Sequence, residues 1–310
     1  MRKEIISKLQ VLLPAERVHL DEPMSLHTSF RIGGPAAAFV EISNENELQS
    51  VLALLHDMQE EYLLLGNGSN VLFADKGYDG VILKLAGDFE SIGRKDNTVT
   101  VGAAKLLSGT SAFATDQGLA GLEFASGIPG SIGGAVFMNA GAYGGEMKDI
   151  VKSVRVVSPD GSEVKELAAE ELGFGYRTSA IQASGAIVTG VTLELTPDDR
   201  DAIAERVSEL TKKRNSKQPV QYPSAGSTFK RPVGGYAAAL IEDAGLKSFT
   251  VGGAQVSEKH SGFVINIGGA TCADVLELMR QVRQKVYDNS GIVLEPEVRI
   301  IGDELGEFGL

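Results

Sequence analysis

Residues 63–73 read LLLGNGSNVLF, three leucines running into five small or polar residues and back into an apolar run. Gly66 and Gly68 tolerate positive φ, while Asn67, Ser69 and Asn70 carry short side chains that hydrogen-bond nearby backbone. A bend of that composition presents a concave row of backbone N–H groups, the chemistry that receives a phosphate. The same residues would also serve as a plain hairpin turn between strands at Leu63–Leu65 and Val71–Phe73. A second region, EFASGIPGSIGGAVFMNAGAYGGEM at 123–147, holds seven glycines in twenty-five residues. Its Ile, Val, Phe and Met side chains are not those of a flexible linker. Gly127, Gly130, Gly133 and Gly134 therefore point to packed backbone lying close against a flat or extended ligand, with tight chain crossings in a core as the structural alternative. Two such bends in one strand-rich stretch favour a large phosphate-bearing cofactor.

The elements that must hold these bends are legible as periodic runs. The N-terminal MRKEIISKLQVLLP places Ile5, Ile6, Leu9, Leu12 and Leu13 on one side of an amphipathic helix; its interrupting charges set it apart from a signal peptide. Asn44 and Glu47 stand at the positions of a helix cap ahead of Leu48, Val51, Leu52 and Leu55. Short β-like runs follow at 80–85 and 98–103, then a helix over 106–122. SVRVVSPDGSEVKEL (153–167) predicts a hairpin turning at Pro159-Asp160-Gly161, and 187–195 a further strand. From 198 the character changes to a capped helix over 198–214 ending in three cations, then a helix near 236–244, a strand at 263–267 and a helix from 272 to about 288. The class is α+β, with a domain boundary near 198.

Composition narrows the partners. The 310 residues are 43% hydrophobic and 23% charged, as in ordinary globular proteins, and no apolar run approaches a bilayer span. A net charge of −12 excludes a nucleic-acid backbone as partner and requires a local basic cluster if the ligand is an anion. Cys272 is the only cysteine, so an intrachain disulfide is ruled out and a reducing cytoplasm is the expected compartment. It falls in a helical pattern with Val275, Leu276, Met279, Val282 and Val286, as a core residue would. The four histidines, His19, His27, His56 and His260, lack ligand spacing, so no catalytic metal is expected.

GNGSNVLF, GIPGSIGGAVFMNAGAYGGEM, GYRTS (175–179), AGSTFKRP (225–232) and LEPEVRIIG (294–302) occur here in one order. In that order the chain resembles, from about Ser25 to Gly302, the UDP-N-acetylenolpyruvoylglucosamine reductases, flavoenzymes of bacterial peptidoglycan synthesis. The resemblance implies an FAD-binding domain of the vanillyl-alcohol-oxidase (PCMH) type in two subdomains, residues 1–85 and 86–197, followed by a C-terminal α+β substrate domain at 198–310. It also implies that Gly66, Asn67, Gly68, Ser69 and Asn70, with Gly127, Gly130, Ser131, Gly133, Gly134 and Asn139, hold FAD. GNGSN contains no histidine to tether the flavin, so the FAD is expected to be non-covalent. The short run from IQASGAIV into TGVTLEL leaves no room for the extra substrate-capping loop of one branch of the family, which places this chain with the shorter branch.

The implied chemistry is reduction of UDP-N-acetylglucosamine enolpyruvate with NADPH as reductant. Adding a hydride to the methylene carbon drives charge into the carboxylate and calls for stabilisation there and a proton donor at the adjacent carbon. Arg177 matches the family's carboxylate-binding arginine, whose planar fork suits a bidentate contact. Ser227 matches the proton donor; a hydroxyl is a weak acid and serves only by being held against the developing carbanion. Glu297 matches the catalytic glutamate, sharing a strand face with Arg299 and Ile301, and Glu295 is the runner-up on the same side. Tyr176, Lys217, Arg231 and Lys247 fall at positions that contact the UDP-sugar, within a basic group that includes Lys212, Lys213, Arg214 and Lys230. The expected partners are the UDP-sugar and NADPH, with no obligate protein partner. Alternative readings are an FAD-dependent oxidase or dehydrogenase acting on a hydroxy acid or sugar, and a nucleotide-sugar-binding module without catalysis.

Overall fold

A computed structural model describes residues 2–302. The chain is α+β and forms two compact units, each assembled from separated segments. The first holds the residues up to Leu20, Ala38–Asn67 and Gly80–Arg214; the second holds Asp21–Ala37, Gly68–Asp79 and the chain from Asn215 onward. The chain therefore passes from one unit to the other inside GNGSN, between Asn67 and Gly68.

The first unit contains a five-stranded antiparallel sheet in the order Val164–Ala168, Val151–Val157, Ile187–Glu194, Thr98–Gly102, Ile92–Lys95. The hairpin predicted at 153–167 is its edge. Asp160 closes the turn by accepting hydrogen bonds from the Ser158 and Ser162 hydroxyls and the Ser162 N–H, which pull its pKa down to about 2. A second sheet runs Val18–Pro23, Pro35–Ile42, Tyr78–Leu85, Tyr62–Leu64. The helix Glu45–Asp57 starts as its cap predicts, with Asn44 accepting from the Glu47 N–H (3.0 Å) and burying Leu48, Val51, Leu52 and Leu55. In the N-terminal helix Ile5 and Leu9, with Leu13 just past its end, reach the core at spacing four, whereas Leu12 turns outward.

The second unit packs the antiparallel sheet Ser224–Ser227, Phe263–Asn266, Ala254–Val256, Thr250–Val251 against the helix Cys272–Ser290. That helix carries a Thr271/Asp274 capping box and ends at Gly291 in the left-handed conformation. Cys272 is buried with Val275, Leu278, Met279, Val282 and Val286, as its periodicity implied. No helix among the described residues is long and apolar enough to cross a membrane.

Three elements differ from the sequence reading. Tyr62–Leu64 pairs in parallel with Tyr78–Leu85, and Val71–Phe73 pairs in parallel with Arg299–Ile301, so GNGSN is no hairpin turn. The helix predicted over 106–122 spans Leu107–Asp116 and gives way to a short strand at Leu119–Ala120. The last strand begins only at Arg299, so Glu297 precedes it instead of alternating within it.

Candidate active site

In the first unit the two glycine-rich segments meet. The Asn67 amide donates to the Pro129 carbonyl (2.8 Å). A Cβ on Gly66 would stand 2.9 Å from the Ser131 hydroxyl, and one on Gly133 would stand 3.0 Å from the Ala103 side chain, so a larger residue at either position would crowd its neighbour. Ser131 caps the helix Ile132–Phe137 through the Gly134 N–H (3.4 Å). The backbone N–H groups of Gly66, Asn67, Gly127, Gly130 and Ser131 have no acceptor among the described residues. Such unspent donors are costly to leave unmade and suit an anion.

Two cations accompany them. Lys84 projects from the strand Tyr78–Leu85, and its ammonium donates to the Gly66 carbonyl. Burial holds its pKa below the usual lysine range, against the opposing pull of Glu90 and Glu41, and no carboxylate among the described residues pairs with it. Arg214 lays its stem over Gly127, where a Cβ would come within 2.7 Å of its Cδ. Its guanidinium is half-buried, likewise lowered in pKa by desolvation, and without an ion-pair partner among the described residues. Sequence reading grouped Arg214 with the substrate-side cations and passed over Lys84; its one signal was a lysine inside the apolar run VILKL. Unspent N–H donors, Cβ-free backbone and two cations without an ion-pair partner among the described residues fit the pyrophosphate of FAD, a dianion that a chain of net charge −12 must otherwise repel.

Arg177 also lies in the first unit, at the third position of a turn closed by Gly175 and Thr178, with φ +56°. Its guanidinium donates to the Gly141 carbonyl (3.4 Å) and lies 5.3 Å from the Tyr176 ring, which is 53% exposed. Only Gly185 and Ala186 separate the following helix Ala180–Ser184 from the strand Ile187–Glu194, which leaves no capping loop there.

In the second unit the backbone that follows Ser227 pairs with the segment carrying Glu297. Ser224 pairs with Ile265 and Ser227 with Phe263, so the strand carries an extra residue, and Gly226 takes φ +78° to accommodate it. Ser227 is the last residue of that strand, directly after the bulge. Next to it, the Thr228 carbonyl accepts the Glu297 N–H (2.8 Å), and Phe229 bridges Pro296. The Asn70 amide donates to the Glu297 carbonyl (3.2 Å) and the Asn70 carbonyl accepts the Arg299 N–H (3.0 Å). The second half of GNGSN, whose Gly68 and Ser69 N–H groups also lack acceptors among the described residues, is thereby fixed to the segment carrying Glu297. Glu297 is half-buried, whereas Glu295 is exposed and paired with Lys230 (3.3 Å) as a surface ion pair. Lys217 ends the helix Arg200–Lys217 and is exposed. Arg231 sits 4.1 Å from the Tyr236 ring, and Lys247 pairs with Glu242 at 2.6 Å. His260 accepts the Gly262 N–H at Nδ1 (3.2 Å) and packs edge-on against Phe263, a structural role.

Residues 36–166 match the FAD binding domain family, and residues 218–301 match the C-terminal domain of UDP-N-acetylenolpyruvoylglucosamine reductase. The reductase of Alkaliphilus oremlandii is 48% identical over 296 residues, covering 96% of this chain and 97% of its own. The chain belongs to the UDP-N-acetylenolpyruvoylglucosamine reductase family. The Clostridioides difficile reductase is 46% identical across 97% of this chain and 99% of its own length. The crystal structure of the Thermus caldophilus reductase superposes with a TM-score of 0.79 at 38% identity, covering 92% of this chain and 98% of that one. Family membership makes the chain an FAD-dependent oxidoreductase of peptidoglycan precursor synthesis and accounts for the FAD-binding α+β fold.

If Lys84 supplies charge to FAD, Lys84→Met should weaken FAD binding roughly 10- to 100-fold, the range of a lost charge-assisted contact. Flavin fluorescence on titrating the apoprotein reads it. The sign with pH follows from the lowered pKa: affinity should hold while Lys84 is protonated and fall as pH rises through a value below 10.5. An unchanged affinity in Lys84→Met would remove Lys84 from the cofactor site.

Proposed function

We propose that the protein reduces UDP-N-acetylglucosamine enolpyruvate to UDP-N-acetylmuramate, with non-covalent FAD as cofactor and NADPH as reductant. The observation that supports this reading is the backbone hydrogen bond from Glu297 to Thr228, the residue that follows Ser227 at the Gly226 bulge. The chemistry FAD supplies when bound is hydride transfer, taken from NADPH and given to the methylene carbon of the enol ether. Gly66, Asn67, Gly127, Gly130 and Ser131 bind the pyrophosphate through backbone N–H groups, with Lys84 and Arg214 offsetting its charge. Arg177 holds the substrate carboxylate and takes up the charge that develops on it. Ser227 delivers its hydroxyl proton to the carbon bearing the ether oxygen, so that one hydride and one proton saturate the double bond. Glu297, as the neutral acid, donates a hydrogen bond to the enolate-like species, passes its proton to Ser227 and regains one from solvent. Tyr176, Lys217, Arg231 and Lys247 receive the nucleotide-sugar.

The test is an anaerobic titration. Purified protein should be yellow, bleach with NADPH, and regain colour when the enolpyruvyl sugar nucleotide is added. Recovery with oxygen but not with that substrate would identify an oxidase, and a colourless protein a binding module. Acid precipitation should release the flavin into the supernatant if it is non-covalent.

A further inference from the structure

Asn139 is buried to 1% exposure with φ +41°, just past the end of the helix Ile132–Phe137. Both amide hydrogens are used inside the protein: Nδ2 donates to the Gly175 carbonyl (2.9 Å) and to the Glu146 carboxylate (2.9 Å). Its Oδ1 accepts the Lys148 N–H (3.0 Å). The Gly175 carbonyl opens the turn on which Arg177 sits, so this amide grips the turn at its start. At the far end the Ser179 hydroxyl donates to the Phe137 carbonyl (2.9 Å). Gln182 donates to that same carbonyl (2.8 Å) and to the Arg177 carbonyl (3.1 Å). The arginine turn is thus pinned at both ends to the C-terminal end of one short helix. Glu146 belongs to the same cluster: its pKa is lowered first by its hydrogen bond to Lys148, and the nearby Arg177 charge adds to this.

We infer that Asn139 is the positioning residue of Arg177, holding the turn at Gly175 so that the guanidinium stays fixed, and that it does not contact the cofactor. The inference rests on the reading of Arg177 as the carboxylate-binding residue. A left-handed φ is costly for arginine, and a turn holding one needs such external restraint. A misplacement of about 1 Å at an orienting residue costs on the order of 10²-fold in rate.

Asn139→Asp is the informative variant, since it keeps the size and the acceptor for the Lys148 N–H while turning both donors into acceptors facing Gly175 and Glu146. Its flavin content and its rate of reduction by NADPH should stay within about twofold of the parent, while reoxidation by the enolpyruvyl sugar nucleotide slows about 10- to 100-fold. Combined with Arg177→Met, it should add little to the loss from Arg177→Met alone. Equal loss in both half-reactions, or loss of flavin, would overturn the inference in favour of a cofactor role; so would full activity. A crystal structure of Asn139→Asp reads the placement without turnover: the 175–178 turn should move and residues 66–67 should not. An unmoved turn overturns the inference. If the parent enzyme fails to turn over the enolpyruvyl compound, the functional reading falls while that structure still decides the role of Asn139.

Discussion

Ser227→Ala should bleach with NADPH at nearly the parent rate and then regain colour some 10²- to 10⁴-fold more slowly with the enolpyruvyl sugar nucleotide, the range of a lost proton donor. The asymmetry follows from the two half-reactions. Taking up a hydride from NADPH moves no proton through Ser227, whereas saturating the double bond needs one delivered to a single carbon. A serine hydroxyl is far too weak an acid to act on acidity alone, so its contribution lies in being held where charge develops. In the proposed reading that hold would come from the bulge between Ser224 and Ser227, which shifts the strand's pairing with Phe263–Asn266 by one residue. Ser227→Cys keeps a donor of similar size and should recover part of the rate. Stopped-flow absorbance of each half-reaction measures both. Equal slowing of the two would remove Ser227 from proton delivery.

Arg177→Met should cost about 10²- to 10³-fold in the same oxidative half-reaction, comparable to removing a preorganised donor at a site of developing negative charge. Arg177→Lys should recover little, since a point charge does not reproduce two parallel N–H donors on a carboxylate. Most of the loss should fall in kcat for the enolpyruvyl substrate if Arg177 binds the charge that grows during reaction, and in KM if it only anchors the ground-state carboxylate. Neither variant should alter flavin content, because the Arg177 guanidinium donates to the Gly141 carbonyl, whereas the N–H groups assigned to the pyrophosphate belong to residues 66–67 and 127–131. Loss of flavin from Arg177→Met would place the residue in the cofactor site.

The parts of the structure set by local chemistry were legible in the sequence. The Asn44 cap, the 153–167 hairpin, the helix from 272 and the spacing of Cys272 with its helix partners all depend on residues within a few positions of each other. The pairing of Val71–Phe73 was not legible, since its partner Arg299–Ile301 lies more than two hundred residues later and no local rule selects it. Lys84 escaped for a related reason: one lysine in a strand looks like a solvated edge until the fold buries it against Gly66. Arg214 was visible as a cation at a helix end, where a solvated face is the usual outcome, and only packing against Gly127 distinguishes it from Lys212 and Lys213. Arg177, Ser227 and Glu297 were carried by motif resemblance; taken alone, each would pass for a turn or surface residue.

The helix Ile132–Phe137 is six residues long, with Ser131 at its beginning and the anchorage of the arginine turn at its end. Each residue of an α-helix advances about 1.5 Å and turns about 100°. Inserting or deleting a single residue within it would swing Asn139 and the Phe137 carbonyl away from Gly175 and Ser179 even if every glycine upstream were kept. Grafts of the 127–134 segment between relatives should therefore succeed only when the spacer to Asn139 is conserved to the residue, which makes this helix a ruler for engineering the enzyme.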